Sequence, residues 1–447
     1  MMDESPFTIT LANNPFFDTN LQPTGPLADL CSELWPLVAA HIPASRKRPL
    51  GEQYVFGSLI ANFCRMLLIG KTELTTPRNH DFLKSGSRYR PRKATYHAVT
   101  RTLDACVAAG LIEQDIGSGQ HKVTSNVHGD LRCVREATRV RPSDYLSDQL
   151  RPFLIHEVHR LARWDEHAEV IHLRDKVIGD GRSGKSEQVE YEDTPETIAF
   201  RSQVRRINQH LRAHPCHYAG QRKVNLLDDH VVRIFNSGSW EQGGRLYGYW
   251  PMNLPSSERH HLSIDGEPLS DLDFGSCFVA LLHVYDGSQF DPLAPDPFRI
   301  EGHEEHRNLI KKCAYAILNA KKAISRYPED VADGNQINLP PWPIVERLIF
   351  DHVPLFRRYA YTGLGLTLMR KESDILISIL LDLVERGIGF IPMHDGIMVP
   401  TSKKALTEML MLTHYHAQTG QMISIKEKTI GRPSLGVSDS SQEVCAA

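Results

Sequence analysis

Residues 389–400 read GFIPMHDGIMVP, in which two short apolar runs are joined through His394, Asp395 and Gly396. Asp-Gly between apolar runs is a strong signal for a tight β-hairpin. Such a turn carries the Asp395 carboxylate beyond the sheet edge, where it can meet a ligand, although a plain turn residue is the alternative. The preceding residues 372–387 carry apolar side chains at helical spacing, so we expect a helix followed by a hairpin.

A second informative stretch, residues 261–287, reads HLSIDGEPLSDLDFGSCFVALLHVYDG. The Asp-Gly pair at 265–266 predicts a hairpin turn that leads into a strand. Because side chains alternate along a strand, Asp271 and Asp273 point to the same side, and a helix follows from about Cys277. An aspartate at a strand end just before a helix is well placed to hold a metal ion beside a phosphate. A solvated strand edge is the alternative.

A third stretch, residues 306–324, reads HRNLIKKCAYAILNAKKAI and predicts a helix. Residues four apart form one stripe on that helix: Arg307, Lys311, Tyr315 and Asn319. Two cations on one stripe can hold phosphate oxygens, and an aromatic ring can pack against a base and sugar. The alternative is a solvated basic face.

In this order, the strand with its aspartate, the basic helix and the His-Asp hairpin resemble motifs A, B and C of the family A polymerases. This superfamily includes bacterial and phage DNA polymerases and the phage-type single-subunit RNA polymerases. The resemblance covers about 130 positions, residues 265–400. It implies an α+β fold, in which a polymerase-like palm with an antiparallel sheet carries helical fingers.

The resemblance also assigns roles to individual residues. Motif A has a glycine fourteen positions after its aspartate, an interval that Asp273 and Gly287 keep. It implies that Asp273 and Asp395 are the catalytic carboxylates that bind Mg²⁺ (or Mn²⁺), with His394 near the primer terminus. Two such ions about 3.5–4 Å apart activate the primer 3′-hydroxyl and stabilise the leaving pyrophosphate. The residues that would bind the nucleoside triphosphate are Arg307, Lys311, Tyr315, Asn319 and Phe278.

Three positions depart from the DNA polymerase pattern. Phe278 stands where the family has a glutamate that excludes the ribose 2′-hydroxyl, Asn319 replaces a tyrosine, and Gly396 replaces a glutamate. A bulky Phe278 can still exclude that hydroxyl sterically, which favours dNTPs, and Phe278→Ala is then expected to admit rNTPs. Residues 275–277 and 311–312 instead look like the RNA polymerase versions, so sugar selection stays open.

Upstream, residues 46–141 predict a winged helix-turn-helix domain. The pattern consists of a helix at 58–69, a basic turn at 87–93 and a second helix at 95–109. A two-stranded wing is expected to follow, formed by LIEQD and HKVT within residues 111–124. In such a domain the second helix can enter a major groove. A small α/β domain with a solvated basic face is the alternative.

Local charge supports nucleic-acid binding more than the net charge of −3 does. Residues 85–141 carry about twice as many Lys and Arg as Asp and Glu, enough to neutralise phosphates. In this domain we expect phosphate contacts from Arg88, Arg90, Arg92, Lys93 and Arg101. Further contacts with the template or duplex are expected from Arg205, Arg245 and Arg259, for which structural salt bridges are an equal alternative.

The rest of the chain divides by composition. Residues 1–45 are expected to be partly ordered, residues 142–196 to form a helix and a flexible linker, and residues 197–447 to form the palm and fingers with a reduced thumb. The apolar content of 41% and charged content of 23% are typical of a soluble globular protein. Eight scattered cysteines without zinc-finger spacing and the absence of a recognisable signal sequence favour a bacterial cytoplasm.

The leading hypothesis is a compact template-directed nucleotidyltransferase, a DNA polymerase of a plasmid, phage or other mobile element. Its partners would be a DNA (or RNA) primer-template and nucleoside triphosphates, without a membrane. A primase or RNA polymerase on the same palm is the first alternative. A DNA-binding replication initiator with an inactive palm is the second. The template, the pathway and the oligomeric state are left open by the sequence.

Overall fold

The computed structural model describes residues 14–43, 49–76, 78, 83, 87–117, 121–125, 131–135, 138–154, 161–176, 186–328 and 340–428. The chain divides into two compact units. Among the described residues, the N-terminal unit contains those within 14–169 and 221–230, and the C-terminal unit contains those within 170–220 and 231–428. The sequence-based boundaries at 141 and 196 therefore differ from the observed division after residue 169, because strands continue through the region expected to be a linker.

Three helices build the core of the N-terminal unit: α1 Gly25–Ala39, α2 Leu50–Leu68 and α3 Tyr96–Ala108. Buried apolar side chains recur along α1 every three or four residues, at Leu27, Leu30, Leu34 and Val38. This helix lies within the segment 1–45 for which only partial order was expected. Its apolar periodicity outweighs the polar, proline-containing composition around it.

The strands of the N-terminal unit, and the helix that follows them, are β1 Leu21–Pro23, β2 Leu74–Thr76, β3 Ile112–Asp115, β4 His121–Ser125, β5 Leu131–Arg135, β6 Thr138–Pro142, α4 Asp144–Leu150 and β7 Ala162–Trp164. A 3-10 turn, Arg151–Leu154, follows α4. One antiparallel sheet has the order β2-β6-β3, while β4 pairs with β5 and β1 with β7.

The pairing of β3 corrects the predicted wing. The LIEQD segment pairs with β6 and not with HKVT, which pairs with β5. Strand β6 alternates buried Val140 with outward Arg139 and Arg141, and Arg141 Nε lies 2.7 Å from the Glu113 carboxylate of β3. These cross-strand ion pairs and the buried valine select the β3–β6 pairing.

The C-terminal unit contains two sheets, whose strands are β8 Ile171–Lys176, β9 Ser186–Gln188, β10 Cys216–Tyr218, β11 Val232–Phe235, β12 Gly243–Tyr247, β13 Leu262–Ile264, β14 Glu267–Phe274, β15 Ile391–Pro392, β16 Gly396–Pro400 and β17 Ile425–Lys428. The smaller sheet has the order β12-β11-β8-β9. It uses residues 171–188 of the expected linker, although residues 177–185 lie outside the described ranges.

The larger sheet is antiparallel in every pair and has the order β10-β13-β14-β16-β15, with β17 also paired to β14. Its helices are α5 Pro195–Ala213, α6 Cys277–Asp286, α7 Arg307–Asn319, α8 Trp342–His352, α9 Pro354–Tyr359, α10 Gly365–Glu385 and α11 Lys404–Thr419. The 3-10 turns are Trp250–Asn253, Ser256–His261, Glu304–His306 and Thr401–Lys403. The unit is therefore α+β with an antiparallel central sheet, as the sequence predicts at this coarse level.

Candidate active site

The two predicted carboxylates lie on adjacent parts of the central sheet. Asp273 is the last but one residue of β14 and pairs in register with Gly396, the first residue of β16. Asp395 occupies the turn between β15 and β16, and its carbonyl accepts a hydrogen bond from Phe274 N at 3.4 Å. The predicted strand and hairpin are confirmed. They bring one strand end and one turn to the same edge of the sheet.

The close approach of β14 and β16 explains why residue 396 is a glycine. A Cβ at this position would lie 2.4 Å from the Leu272 carbonyl oxygen and 3.4 Å from Asp273 Cα. No side chain fits between the two strands there, so the glutamate found in the familiar motif would force them apart. The glycine allows β14 and β16 to approach closely beside the carboxylates.

Asp273 is held in an environment that favours a bound cation. Its side chain is 16% exposed, and Lys428 Nζ of β17 lies 2.8 Å from its Oδ2. Its Oδ1 is buried and accepts no hydrogen bond from the described residues. Burial, and next the negative charge of Asp395, raise the pKa of Asp273 to about 7. A second cation near Oδ1 would relieve the cost of this buried oxygen.

Asp395 has the opposite electrostatic balance. Burial by itself would raise the pKa of its carboxyl group, but the positive charges of Lys428, Arg245 and Lys311 outweigh it and lower the pKa below the ordinary value. The two carboxylates interact and titrate as a pair, in which burial and the charge of Asp395 raise the pKa of Asp273 while the surrounding cations lower that of Asp395.

These two carboxylates are suited to a magnesium site in which the phosphates of a substrate supply further ligands. Within the described ranges, no group of three or more His, Cys, Asp and Glu residues could enclose a metal ion. Mg²⁺, however, is commonly bound through one or two protein carboxylates, with phosphates and water as its other ligands. Asp273 and Asp395 offer this donor set, and the unpartnered Oδ1 of Asp273 is a suitable oxygen ligand.

The basic stripe predicted at 306–324 does form a helix, α7, and part of it reaches the carboxylates. The Lys311 charge acts on both Asp395 and buried Glu372, and its Nζ lies 5.6 Å from the centre of the Tyr315 ring. Arg307 is oriented differently, since its Nε donates to Asp296 Oδ2 at 2.6 Å. Lys311 and Tyr315 thus interact electrostatically with Asp395, whereas Arg307 is bonded to Asp296.

The last residue of the stripe and the predicted sugar gate have separate surroundings. Asn319 is exposed, and a Cβ at Gly365 would collide with its Oδ1, so it packs against the start of α10. Phe278 of α6 is 5% exposed, and its ring centre lies 4.6 Å from that of Tyr315. The ring centre of Phe298 lies 5.7 Å from that of Tyr315 in an edge-to-face arrangement. Phe278 and Phe298 therefore both pack against Tyr315.

Comparison with known proteins adds little to this geometry. No protein-family model matches the chain, and no curated protein matches it. Among the solved structures that match is the "POL domain of Pol1 from M. smegmatis", a complex with DNA primer-template and dNTP. The identity is 11% and the TM-score 0.31, over 52% of this chain and 50% of that chain. So remote a similarity, over about half the length of that protein, carries no argument about activity.

His394 lies beside the carboxylates in a largely buried position. Its ring centre is 5.3 Å from that of Tyr247. Burial, with a further contribution from the positive charge of Arg245, lowers the pKa of His394 to about 4. The imidazole is therefore neutral at physiological pH and can contact a ligand without adding positive charge.

Two of the arginines expected to contact template are used in buried ion pairs. Arg259 is 9% exposed, its Nη1 lies 3.5 Å from Asp271 Oδ2, and its Nε donates to the Leu254 carbonyl at 3.2 Å. Arg245 Nη2 lies 2.6 Å from Glu372 Oε2. The structural alternative thus describes Arg259, because no exposed guanidinium is left for a template. Arg205 of α5 is exposed.

The basic residues of the N-terminal unit fall into two groups. Arg88 is half-buried with its Nη1 3.4 Å from Glu169, and burial lowers the pKa of Arg90 to about 10. Arg92, Lys93 and Arg101 are exposed, although Arg101 also lies 3.5 Å from Glu52. The exposed group is the part of the predicted surface that could meet a phosphate backbone.

Sequence reasoning missed Glu372 and Lys428. Glu372 is 3% exposed, and its pKa is raised to about 7, first by burial and then by Asp395, against the lowering effect of Arg245. Its place on the apolar face of α10 was a usable signal, since a charged residue on a buried face needs a partner. Lys428 had no such signal, because its four-residue strand carries no motif.

No helix in the described ranges has the length and apolar character to cross a membrane.

Proposed function

We propose that the chain is a template-directed nucleotidyltransferase that adds dNTPs to a primer 3′-hydroxyl. The observation that carries this proposal is that Asp273 and Asp395 lie at one sheet edge, with the charge of Lys311 acting on Asp395. Together with the motif order, this arrangement supports a polymerase-like palm with α7 as the fingers helix.

The chain's own residues would divide the work as follows. Asp273 and Asp395 would hold Mg²⁺ (or Mn²⁺), which when bound supplies the charge that activates the 3′-hydroxyl and stabilises pyrophosphate. Lys311 would neutralise triphosphate oxygens, and Tyr315, backed by Phe278, would pack against the incoming nucleotide. Neutral His394 would contact the primer end without adding a positive charge that repels the metal ion.

The N-terminal unit would bind nucleic acid as a winged-helix domain. Support comes from the sheet order β2-β6-β3, the separate β4–β5 hairpin and the exposed Arg92 and Lys93 just before α3. Thr95 caps that helix by accepting a hydrogen bond from Ala98 N at 3.2 Å, so the basic turn ends where the helix starts.

Primer extension by the full chain tests the proposed function. With Mg²⁺, template and primer, we expect dNTP incorporation, and Asp273→Asn or Asp395→Asn should reduce it about a thousandfold or more, since several kcal/mol of metal-borne stabilisation is lost. Asp265→Asn is the matched control: Asp265-Gly266 is another Asp-Gly turn of the same sheet, and Asp265 contacts His214 at 2.9 Å.

The outcomes separate the rival functions. Incorporation that survives Asp395→Asn, or falls equally with Asp265→Asn, would remove the carboxylate pair from the mechanism. Efficient rNTP incorporation without a primer would favour the primase alternative. If folded wild-type protein binds duplex DNA but incorporates neither dNTPs nor rNTPs, the result would favour the replication initiator with an inactive palm.

A further inference from the structure

Lys428 reaches the candidate metal ligands from the last described strand. In the β14–β17 ladder it pairs in register with Asp271, and Lys426 pairs with Asp273. The Lys428 side chain nevertheless extends diagonally, and its Nζ lies 2.8 Å from Asp273 Oδ2. The ammonium therefore contacts one of the two oxygens that a divalent cation would use.

The Lys428 side chain is 43% exposed, but its ammonium interacts with three carboxylates, of which its contact Asp273 is only 16% exposed. Asp395, Asp273 and Asp271 all raise the pKa of Lys428, against the lowering effect of its burial. Lys428 in turn is the leading positive charge acting on Asp395. Asp271 has Arg259 as a further partner, and both Asp271 and Asp273 keep one buried oxygen that accepts no hydrogen bond from the described residues.

A lysine that pairs with a neighbouring residue of β17 provides a contrast. Lys404 of α11 lies 2.6 Å from Glu427, the neighbour of Lys428, in an exposed ion pair. That pair involves neither candidate metal ligand. Within the described residues, Lys404–Glu427 and Lys428–Asp273 are thus both lysine–carboxylate pairs at β17, and the second is located at the carboxylates proposed for catalysis.

We propose that Lys428 is a positioning residue that acts as a resident cation of the Asp273–Asp395 pair and competes with the divalent ion. Its ammonium neutralises Asp273 and keeps the two carboxylates together. A metal ion that binds the free Oδ1 of Asp273 must overcome the repulsion of this ammonium on Oδ2, so tight metal binding requires the additional oxygens of a triphosphate. This inference rests on the proposed function, because it assumes that the pair binds metal.

Manganese binding by the full chain without nucleotide, followed by electron paramagnetic resonance, tests the competition. Lys428→Met removes the charge and keeps most of the side-chain length, and it should lower the Kd for Mn²⁺ at least about tenfold, as expected for loss of a like charge a few ångströms away. Lys428→Arg should bind as weakly as wild type. Lys404→Met, which removes the same charge from the exposed pair, should leave the Kd unchanged.

A measurement on the wild-type protein tests the same competition without depending on the folding of a variant. Acylation of lysines read by mass spectrometry should label Lys428 faster when Mn²⁺ is present, while labelling of Lys404 stays constant. Equal or weaker Mn²⁺ binding by folded Lys428→Met, or labelling of Lys428 that does not respond to Mn²⁺, would overturn the proposal.

The two proposals fail in different ways. If Asp273→Asn abolishes both Mn²⁺ binding and primer extension while Lys428→Met binds like wild type, the nucleotidyltransferase stands and the role of Lys428 is rejected. If neither wild type nor Lys428→Met binds Mn²⁺, the competition is rejected too, and the primer-extension result then decides the fate of the function on its own.

Discussion

Individual arginines of the two units have opposite surroundings. In the C-terminal unit Arg233 is 1% exposed and donates to Asp374 at 2.6 Å, and Arg259 is 9% exposed beside Asp271. In the N-terminal unit Arg92 is exposed to solvent. A buried guanidinium is tolerated because a carboxylate neutralises it, whereas an exposed one can exchange water for a phosphate.

This difference between buried and exposed arginines shows that a basic residue in the sequence does not by itself indicate its role. Arg245 and Arg259 lie near aromatic residues, a pattern that also suits template contact, yet each is turned toward a buried acid. Removing a paired, buried cation should therefore change stability. Removing an exposed one should change affinity and leave stability nearly untouched.

Breaking a buried pair is expected to have the largest effect. Arg259→Ala should lower the free energy of unfolding by about 3 kcal/mol, because it leaves Asp271 buried without its cation. Urea denaturation measures the free energy of unfolding of Arg259→Ala and of a control variant, Arg205→Ala. Because Arg205 is exposed, its replacement should cost less than about 0.5 kcal/mol.

A second variant separates charge from packing at this pair. The double variant Arg259→Met, Asp271→Leu replaces both charges with apolar side chains and should recover much of the lost stability. If Arg259→Ala proves no more costly than Arg205→Ala, the assignment of Arg259 to the structural group is wrong.

Local patterns predicted the parts of the site that depend on neighbours in sequence. The Asp-Gly pairs at 265–266 and 395–396 predicted both hairpin turns, and the four-residue spacing from Arg307 predicted α7. Asp265 and Gly266 adopt positive φ of 53° and 79°, the backbone conformation that such a turn requires. The α+β class followed from these elements.

Partner choice could not be predicted in the same way. Arg245 and Glu372 are 127 positions apart, and Lys428 meets Asp273 through a strand at the far end of the described chain. Strand β6 was missed because its alternation of Thr138 and Val140 with two arginines looks like a basic loop until its acidic neighbours on β3 are known. Long-range pairing decides all three cases.

Two cations of helix α7, Arg307 with a carboxylate partner and Lys311 available to a ligand, provide the second test of the comparison between paired and exposed cations. Lys311, whose charge acts on Asp395, should contribute more to nucleotide binding than Arg307, whose Nε is engaged by Asp296 at 2.6 Å. We expect Lys311→Ala to raise the KM for dNTP about tenfold or more, as for loss of a charge-assisted contact, and Arg307→Ala to raise it less.

Steady-state primer extension over a range of dNTP concentrations gives both values. Lys312→Ala serves as the control, since Lys312 is exposed on the same helix. A larger KM change for Arg307→Ala than for Lys311→Ala would mean that Arg307 leaves Asp296 when nucleotide binds, and the distinction between paired and available cations would fail on this helix.

The smallest expected effect concerns the exposed basic turn before α3. Arg92→Ala should weaken binding of the full chain to duplex DNA only a few-fold, without changing its unfolding temperature. Because one phosphate contact is lost, the slope of log affinity against log salt concentration should fall by about one. Arg88→Ala is the matched control, since Arg88 is half-buried and paired with Glu169 at 3.4 Å, and it should lower stability while leaving the salt slope intact. Fluorescence anisotropy at several salt concentrations distinguishes the two, because an unchanged slope for Arg92→Ala would mean that the exposed surface is merely solvated.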